Sequence, residues 1–381
     1  MGNSHEDDDS WVDAEEFIHK IEAINKPRAD VPEIVNYLIA AREINASDIY
    51  FSVDECPVLK RHGKFHKLLE SPFYRQEELK RLVYGILDKG EIQRFEKQLD
   101  MELMYVSDET GSIRINLYHS QEGIGAACRI IPRKIPELQD LGPKESLEKI
   151  ADLEEGFVLI TGEARSGKST TLAAIIEHIN INKKKVIITI EDLIEYYHAN
   201  QSSLIDQRQV GYHTLNFTTA INTAIRSKAD VIVLTDIKSK DEMSLAMNAA
   251  DAGILVIAVM RTFGGSGEAI YRMLNFYNES EQKFASYQLS RVLRTIIWQQ
   301  LLPLKDFVGT VPAMEILHNT KKISELIRTN QLEKIYKEVG KNRALGMQTM
   351  EQSFEFLQTV HEIEGNVSLA FKYGKFLLAL L

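Results

Sequence analysis

Gly162-Glu163-Ala164-Arg165-Ser166-Gly167-Lys168-Ser169 fits the pattern G-x-x-x-x-G-K-[ST] at every position. An apolar run, Phe157 to Thr161, leads into it, and a helical run, Thr171 to Ile179, leads out. That is the strand–loop–helix setting the pattern requires. The glycines let main-chain N–H groups close around phosphate oxygens, and the start of the following helix adds partial positive charge. Lys168 is expected to reach the phosphate oxygens, and Ser169 to ligate Mg²⁺. The candidate binding segment for ATP or a close relative is therefore Gly162 to Thr170, with Glu163, Ala164, Arg165 and Ser166 inside it.

The same grammar extends to either side. Val186 to Ile190, Val231 to Leu234 and Leu255 to Met260 are short runs rich in Val and Ile, with helical segments between them. Buried parallel strands alternating with helices make an α/β sheet. Ligands bind at the carboxyl ends of such strands, and two of those ends carry acids. Glu191 and Asp192, with Glu195 close behind, follow the second run, and Asp236 follows the third. Hydrolysis of a triphosphate needs an acid to hold metal and a group to orient water. Asp236, Glu191, Asp192 and Glu195 are thus the candidate catalytic residues, a solvated loop acid being the alternative for any one of them. Farther on, the last third reads as helical, with Leu289, Val292, Leu293, Ile296 and Ile297 on one apolar face.

Upstream, Pro132, Pro136, Gly142 and Pro143 punctuate a stretch taken as an interdomain linker, 133–150. It separates an α/β domain, 151–381, from a smaller α+β domain, 33–132. In the smaller domain a helix is predicted over 33–44 and another over 77–87, with strands over 49–53, 112–118 and 125–131. Arg61-His62-Gly63-Lys64 reads as a turn. Residues 1–32 read as an acidic mobile arm with one short helix near Trp11 to Ile24. The closing run Phe376 to Leu381 reads as a terminal helix docking on its own domain.

Composition narrows the class. A chain of 381 residues fits two domains. Its formal net charge of −10 leaves no electrostatic footprint for nucleic acid. Two cysteines, Cys56 and Cys128, make no disulfide framework, which suits a reducing compartment. Glu6 to Asp9 stand where a secretory signal carries positive charge, and no apolar run reaches the roughly 18 residues of a membrane span. The expectation is a cytoplasmic protein without direct membrane insertion.

Several further stretches carry a family resemblance. Ala46-Ser47-Asp48, the loop from Gly162 to Thr170 extended by Thr171-Leu172-Ala173-Ala174, Ile190-Glu191-Asp192-Leu193-Ile194-Glu195 and Gly346-Met347-Gln348-Thr349 resemble motifs of the hexameric ATPases of type IV pilus and type II secretion systems. The retraction branch, of the PilT and PilU type, is the one they resemble, from about Ala41 to Val360. The resemblance implies a RecA-like P-loop NTPase domain preceded by a smaller PAS-like domain. It also implies ATP and Mg²⁺ as ligands, with Arg114 and Arg129 adding charge at the γ-phosphate. Assembly as a homo-hexamer, or as a mixed hexamer with a PilT-type paralogue, is implied too. So are an inner-membrane pilus platform protein as partner and a peripheral position at the inner face of the membrane.

The chain departs from that pattern where the family's catalytic residues stand. Thr235 and Asp236 occupy the family's glycine and glutamate, and Lys238 and Ser239 follow in place of arginine and acid. Ile254 and Arg261 occupy its two histidine positions, Ser112 and Glu122 two arginine positions, and Leu193 a proline position. The retraction signature, Lys322 to Arg328, keeps only its apolar frame and Arg328. Aspartate is one methylene shorter than glutamate, and about 1 Å of misplacement can cost roughly a hundredfold in rate. The expectation is a subunit that holds nucleotide and hydrolyses it slowly or not at all; the alternative is a non-hydrolysing scaffold or regulator of a competent motor.

Overall fold

A computed structural model describes residues 32–61, 64–68, 71–304 and 310–360. The expected arm helix, His62 and Gly63 of the expected turn, and the closing run 376–381 lie outside them. The chain divides into two compact units, Met1–Lys134 and Ile135–Leu381.

The first unit is an antiparallel sheet with helices. Its strands are β1 (Asp48–Phe51), β2 (Val58–Arg61), β3 (Lys64–Lys67), β4 (Asp100–Ser107), β5 (Gly111–His119) and β6 (Ile124–Ile130), in the order β3-β2-β1-β6-β5-β4. Helices Glu33–Glu43, Gln76–Tyr84 and Lys89–Gln98 accompany it. Alternation decides which face is buried: in β5, Ile113, Ile115 and Leu117 are fully buried, as period 2 requires. They share one core with Ile34 and Leu38 of the first helix. Asp88 starts the third helix with a reciprocal cap, its side chain accepting from the Glu91 N–H at 2.7 Å.

The second unit carries a seven-stranded sheet in the order β13-β12-β7-β11-β10-β8-β9. Its strands are β7 (Gly156–Gly162), β8 (Val186–Glu191), β9 (Leu204–Gln209), β10 (Val231–Leu234), β11 (Leu255–Arg261), β12 (Leu293–Pro303) and β13 (Thr310–His318). All neighbours pair in parallel except β12 with β13. Both faces are covered. Phe157 and Leu159 of β7 enter one core, and Val158 and Ile160 the other. This double burial explains why the central strands read as unbroken apolar runs. The fold is a RecA-like α/β domain preceded by a smaller PAS-like domain.

Two expectations meet different structure. Helix Glu279–Val292 stops at Val292, and Leu293–Pro303 is a strand rather than more helix. The spacing 289, 292, 293, 296, 297 suits a helix face, but Ile296 and Ile297 enter opposite cores of the sheet. A strand buried on both sides shows no alternation, so a local apolar pattern cannot tell it from a helix. The stretch 133–150, expected as a linker, holds helices Leu138–Leu141 and Lys144–Ala151, whose Leu138, Leu141, Leu147 and Ile150 are buried in the second unit's core.

Candidate nucleotide-binding site

The parallel register brings the candidate residues of the second unit to one edge of its sheet. Gly162 ends β7, Glu191 ends β8, Asp236 lies two residues past β10, and Arg261 ends β11 directly opposite Gly162. The loop after β7 then turns into helix Lys168–Asn182. Three residues of the turn take positive φ: Gly162 (+148°), Arg165 (+66°) and Gly167 (+84°). A Cβ on Gly162 would strike the Gln299 carbonyl oxygen, and one on Gly167 would lie 2.7 Å from Gln299 Nε2. Both glycines are therefore needed for close approach as well as for backbone conformation.

Gln299 of β12 is almost fully buried beneath this loop. Its Nε2 donates to the Ser166 carbonyl at 2.8 Å, and its Oε1 accepts from Thr171 Oγ1 at 2.7 Å. Lys168 Nζ donates to the carbonyl oxygens of Gly162 (3.0 Å) and Glu163, with Ser166 Oγ at 3.4 Å. Burial, and then the Arg261 charge, lower the Lys168 ammonium to a pKa of about 8. A desolvated cation next to a second cation is an environment that a bound polyanion relieves. Glu163, Ala164, Arg165 and Ser169 are exposed at the loop surface, and Thr170 Oγ1 lies 3.0 Å from the Tyr196 hydroxyl.

The carboxylates separate into two environments. Glu191 is buried, accepting at Oε1 from Thr189 Oγ1 (2.5 Å) and Gln207 Nε2 (3.1 Å). Burial pushes its pKa up to about 7, with Glu195 adding a smaller rise and the two hydrogen bonds opposing. Asp192 and Asp236 share one partner. Lys238 Nζ bonds Asp192 Oδ2 and lies 3.6 Å from Asp236 Oδ2. Burial raises the Asp236 pKa while Lys238 opposes the rise. Burial lowers the Lys238 pKa, but the hydrogen bond and charge of Asp192, with Asp236 behind, outweigh it and the net shift is upward. Thr235 adds a second tie between the same strand ends, its Oγ1 accepting from the Asp192 N–H at 3.1 Å.

The buried Glu191 has a consequence for stability. Its carboxyl ordinarily titrates near 4.5 and is raised to about 7 here, so the fold binds its proton more tightly than the unfolded chain does. Its stabilising contribution is complete below about pH 4.5 and is lost as pH rises through 7. Glu191→Gln should therefore stabilise the protein at pH 8 by on the order of 3 kcal/mol, and far less at pH 5. Urea unfolding at the two pH values checks this; equal effects at both would contradict it.

Two more candidates belong to the first unit. Arg114 of β5 and Arg129 of β6 are cross-strand partners, and Arg114 Nε donates to Glu102 Oε1 at 2.6 Å. Ile254 immediately precedes β11, at the end opposite Arg261. Seven strand residues, at roughly 3.3 Å each, keep it from the phosphate loop of its own unit, where its side chain packs on the core. Gln299 is not among the sequence candidates; the pair Gln299-Gln300 inside an apolar run is its only signal.

The phosphate loop at the end of a central strand, with acids at the same ends of β8 and β10, defines a P-loop nucleotide-binding fold of the RecA-like class. The chain belongs to the Type II/IV secretion system protein family, whose model matches residues 31–376. It is 33% identical over 301 residues to a twitching motility protein of Neisseria gonorrhoeae, covering 79% of this chain and 80% of that one. It is 30% identical to the type IV pilus retraction ATPase PilT of Pseudomonas aeruginosa, covering 85% and 94%. Among solved structures, a pilus retraction motor PilT with bound ADP matches with a TM-score of 0.74 at 31% identity, covering 85% of this chain and 96% of that one. Among the described residues no helix is long and apolar enough to cross a membrane.

Proposed function

We propose that this chain is an ATP-binding subunit of the type IV pilus or type II secretion machinery, acting in pilus retraction and twitching motility with weakened hydrolysis. The observation that carries the reading is Lys238, paired with both Asp192 and Asp236 beside a phosphate loop that retains every residue of its pattern. Main-chain N–H groups of 163–169, with Lys168 and Arg261, would hold the phosphates, and Ser169 the Mg²⁺. ATP brings the phosphoanhydride bond, and Mg²⁺ neutralises charge on it. Asp236, one methylene short and engaged by Lys238, is poorly placed to orient water. By the resemblance, Arg114 and Arg129 would add positive charge at the γ-phosphate of a same-chain or neighbouring nucleotide.

A second reading is a non-hydrolysing scaffold or regulator of a competent motor. Arg261 favours it, because a guanidinium cannot exchange a proton at neutral pH where the family carries histidine. Either way the subunit works in a hexamer, of this chain alone or mixed with a full-motif paralogue. It acts in the cytoplasm against a platform protein at the membrane's inner face. The test is ATP binding and turnover by this chain, alone and mixed with such a paralogue. Turnover by the mixture that depends on this chain's own Lys168 supports the first reading, and turnover indifferent to it supports the second. Absence of nucleotide binding removes both.

Lys168 also sets a pH dependence. Phosphate binding favours its charged form, whose pKa in the loop is about 8, so affinity is full below that value and falls above it. Titration calorimetry with ADP should show roughly tenfold weaker binding at pH 9 than at pH 7. Equal affinity at both pH values would contradict this account of Lys168.

A further inference from the structure

Gln299 stands outside the phosphate-loop motif by 130 residues of chain, yet its side chain touches both the loop, at Ser166, and the helix that follows it, at Thr171. We infer that Gln299 is a positioning residue for phosphate binding: it turns the Ser166 carbonyl inward and leaves the loop's N–H groups facing the ligand. The inference rests on the reading of this loop as a nucleotide site.

Three observations carry it. First, the amide has one productive orientation. Nε2 donates to the Ser166 carbonyl at 2.8 Å while Oε1 accepts from Thr171 Oγ1 at 2.7 Å, so one planar group joins the loop to the first turn of its helix. Second, the loop is built around that group. Gly167 places no side chain where a Cβ would lie 2.7 Å from Nε2, and Gly162 none where a Cβ would strike the Gln299 carbonyl. Third, Gln299 has little freedom of its own. It is almost fully buried, next to Trp298, which pairs with Thr161 in the β12–β7 register. A carbonyl bonded to a buried amide cannot rotate outward, where its oxygen would oppose a phosphate. Main-chain N–H groups bind an anion only when neighbouring carbonyls point elsewhere.

Three substitutions separate this role from simple packing. Gln299→Leu removes both hydrogen bonds. Gln299→Glu keeps the acceptor for Thr171 but, when ionised, offers the Ser166 carbonyl no donor. When protonated, the introduced carboxyl can donate there again. Thr171→Val removes one hydrogen bond and leaves the Ser166 contact in place. ADP affinity is measured by calorimetry at pH 6 and pH 8, alongside thermal melting without nucleotide. Gln299→Glu should bind ADP roughly tenfold more weakly than the unsubstituted protein at pH 8 and recover most of that loss at pH 6. Gln299→Leu should be weak at both pH values, and Thr171→Val should lose only about threefold.

If Gln299→Leu fails to fold, the pH-dependent recovery of Gln299→Glu and the small Thr171→Val effect decide the matter. ADP affinities equal to those of the unsubstituted protein, or losses that follow melting temperature with no recovery at pH 6, overturn the inference. If the unsubstituted protein itself binds no ADP, the nucleotide-site reading falls with it; normal binding by the variants removes the Gln299 role alone.

Discussion

Lys168→Ala is expected to weaken ADP and ATP binding by at least about a hundredfold, the loss of charge-assisted hydrogen bonds worth roughly 3 kcal/mol. Nζ is enclosed by the carbonyls of Gly162 and Glu163 and by Ser166 Oγ. It also lies where burial, and then Arg261, disfavour its charge. Removing it should cost the fold little, because a desolvated ammonium is deleted and the carbonyls it caps adjoin the exposed loop surface. Affinity and stability should therefore separate: binding lost, melting temperature within a few degrees. Fluorescence titration with a labelled nucleotide and a thermal melt on the same sample make the comparison. A variant that binds within a few-fold of the parent would show that the phosphates lie elsewhere.

The second large effect is a gain. Asp236→Glu combined with Thr235→Gly restores the longer acid and removes the hydroxyl that accepts from the Asp192 N–H at 3.1 Å. Turnover should rise on the order of tenfold to a hundredfold, the range attached to about 1 Å of misplacement. Asp236→Glu alone should give part of that rise, because the Thr235 hydroxyl still accepts from the Asp192 N–H. No rise in either variant would assign the defect to Lys238, to Arg261 or to the arginine positions held by Ser112 and Glu122. A histidine at position 254 is not expected to help within one chain, since that residue immediately precedes β11, at the end opposite Arg261.

What the sequence made legible was local and strongly patterned. Phe157 to Thr161, Val186 to Ile190, Val231 to Leu234 and Leu255 to Met260 were each extended by at most two residues in the structure. Their Val and Ile content and length allow little else. The acids after those strands were legible for the same reason, because strand ends in a parallel sheet share an edge. Long-range placement was not legible. Leu293 to Pro303 has an apolar spacing that suits a helix, and only its pairing with β7 and β13 makes it a strand. With that strand mistaken, Gln299 had no position near the loop. In the sequence Lys238 shows only as a lysine at an arginine position; its reach to two carboxylates on different strand ends is a tertiary fact.

ATP turnover by the purified chain with Mg²⁺, measured beside equilibrium binding in the same buffer, tests the central claim most directly. The account requires saturable binding with turnover far below about 1 s⁻¹, the lower end of ordinary enzyme rates. Turnover at or above that rate by the unsubstituted chain would contradict the idea that Lys238 and the short acid at 236 hold hydrolysis back.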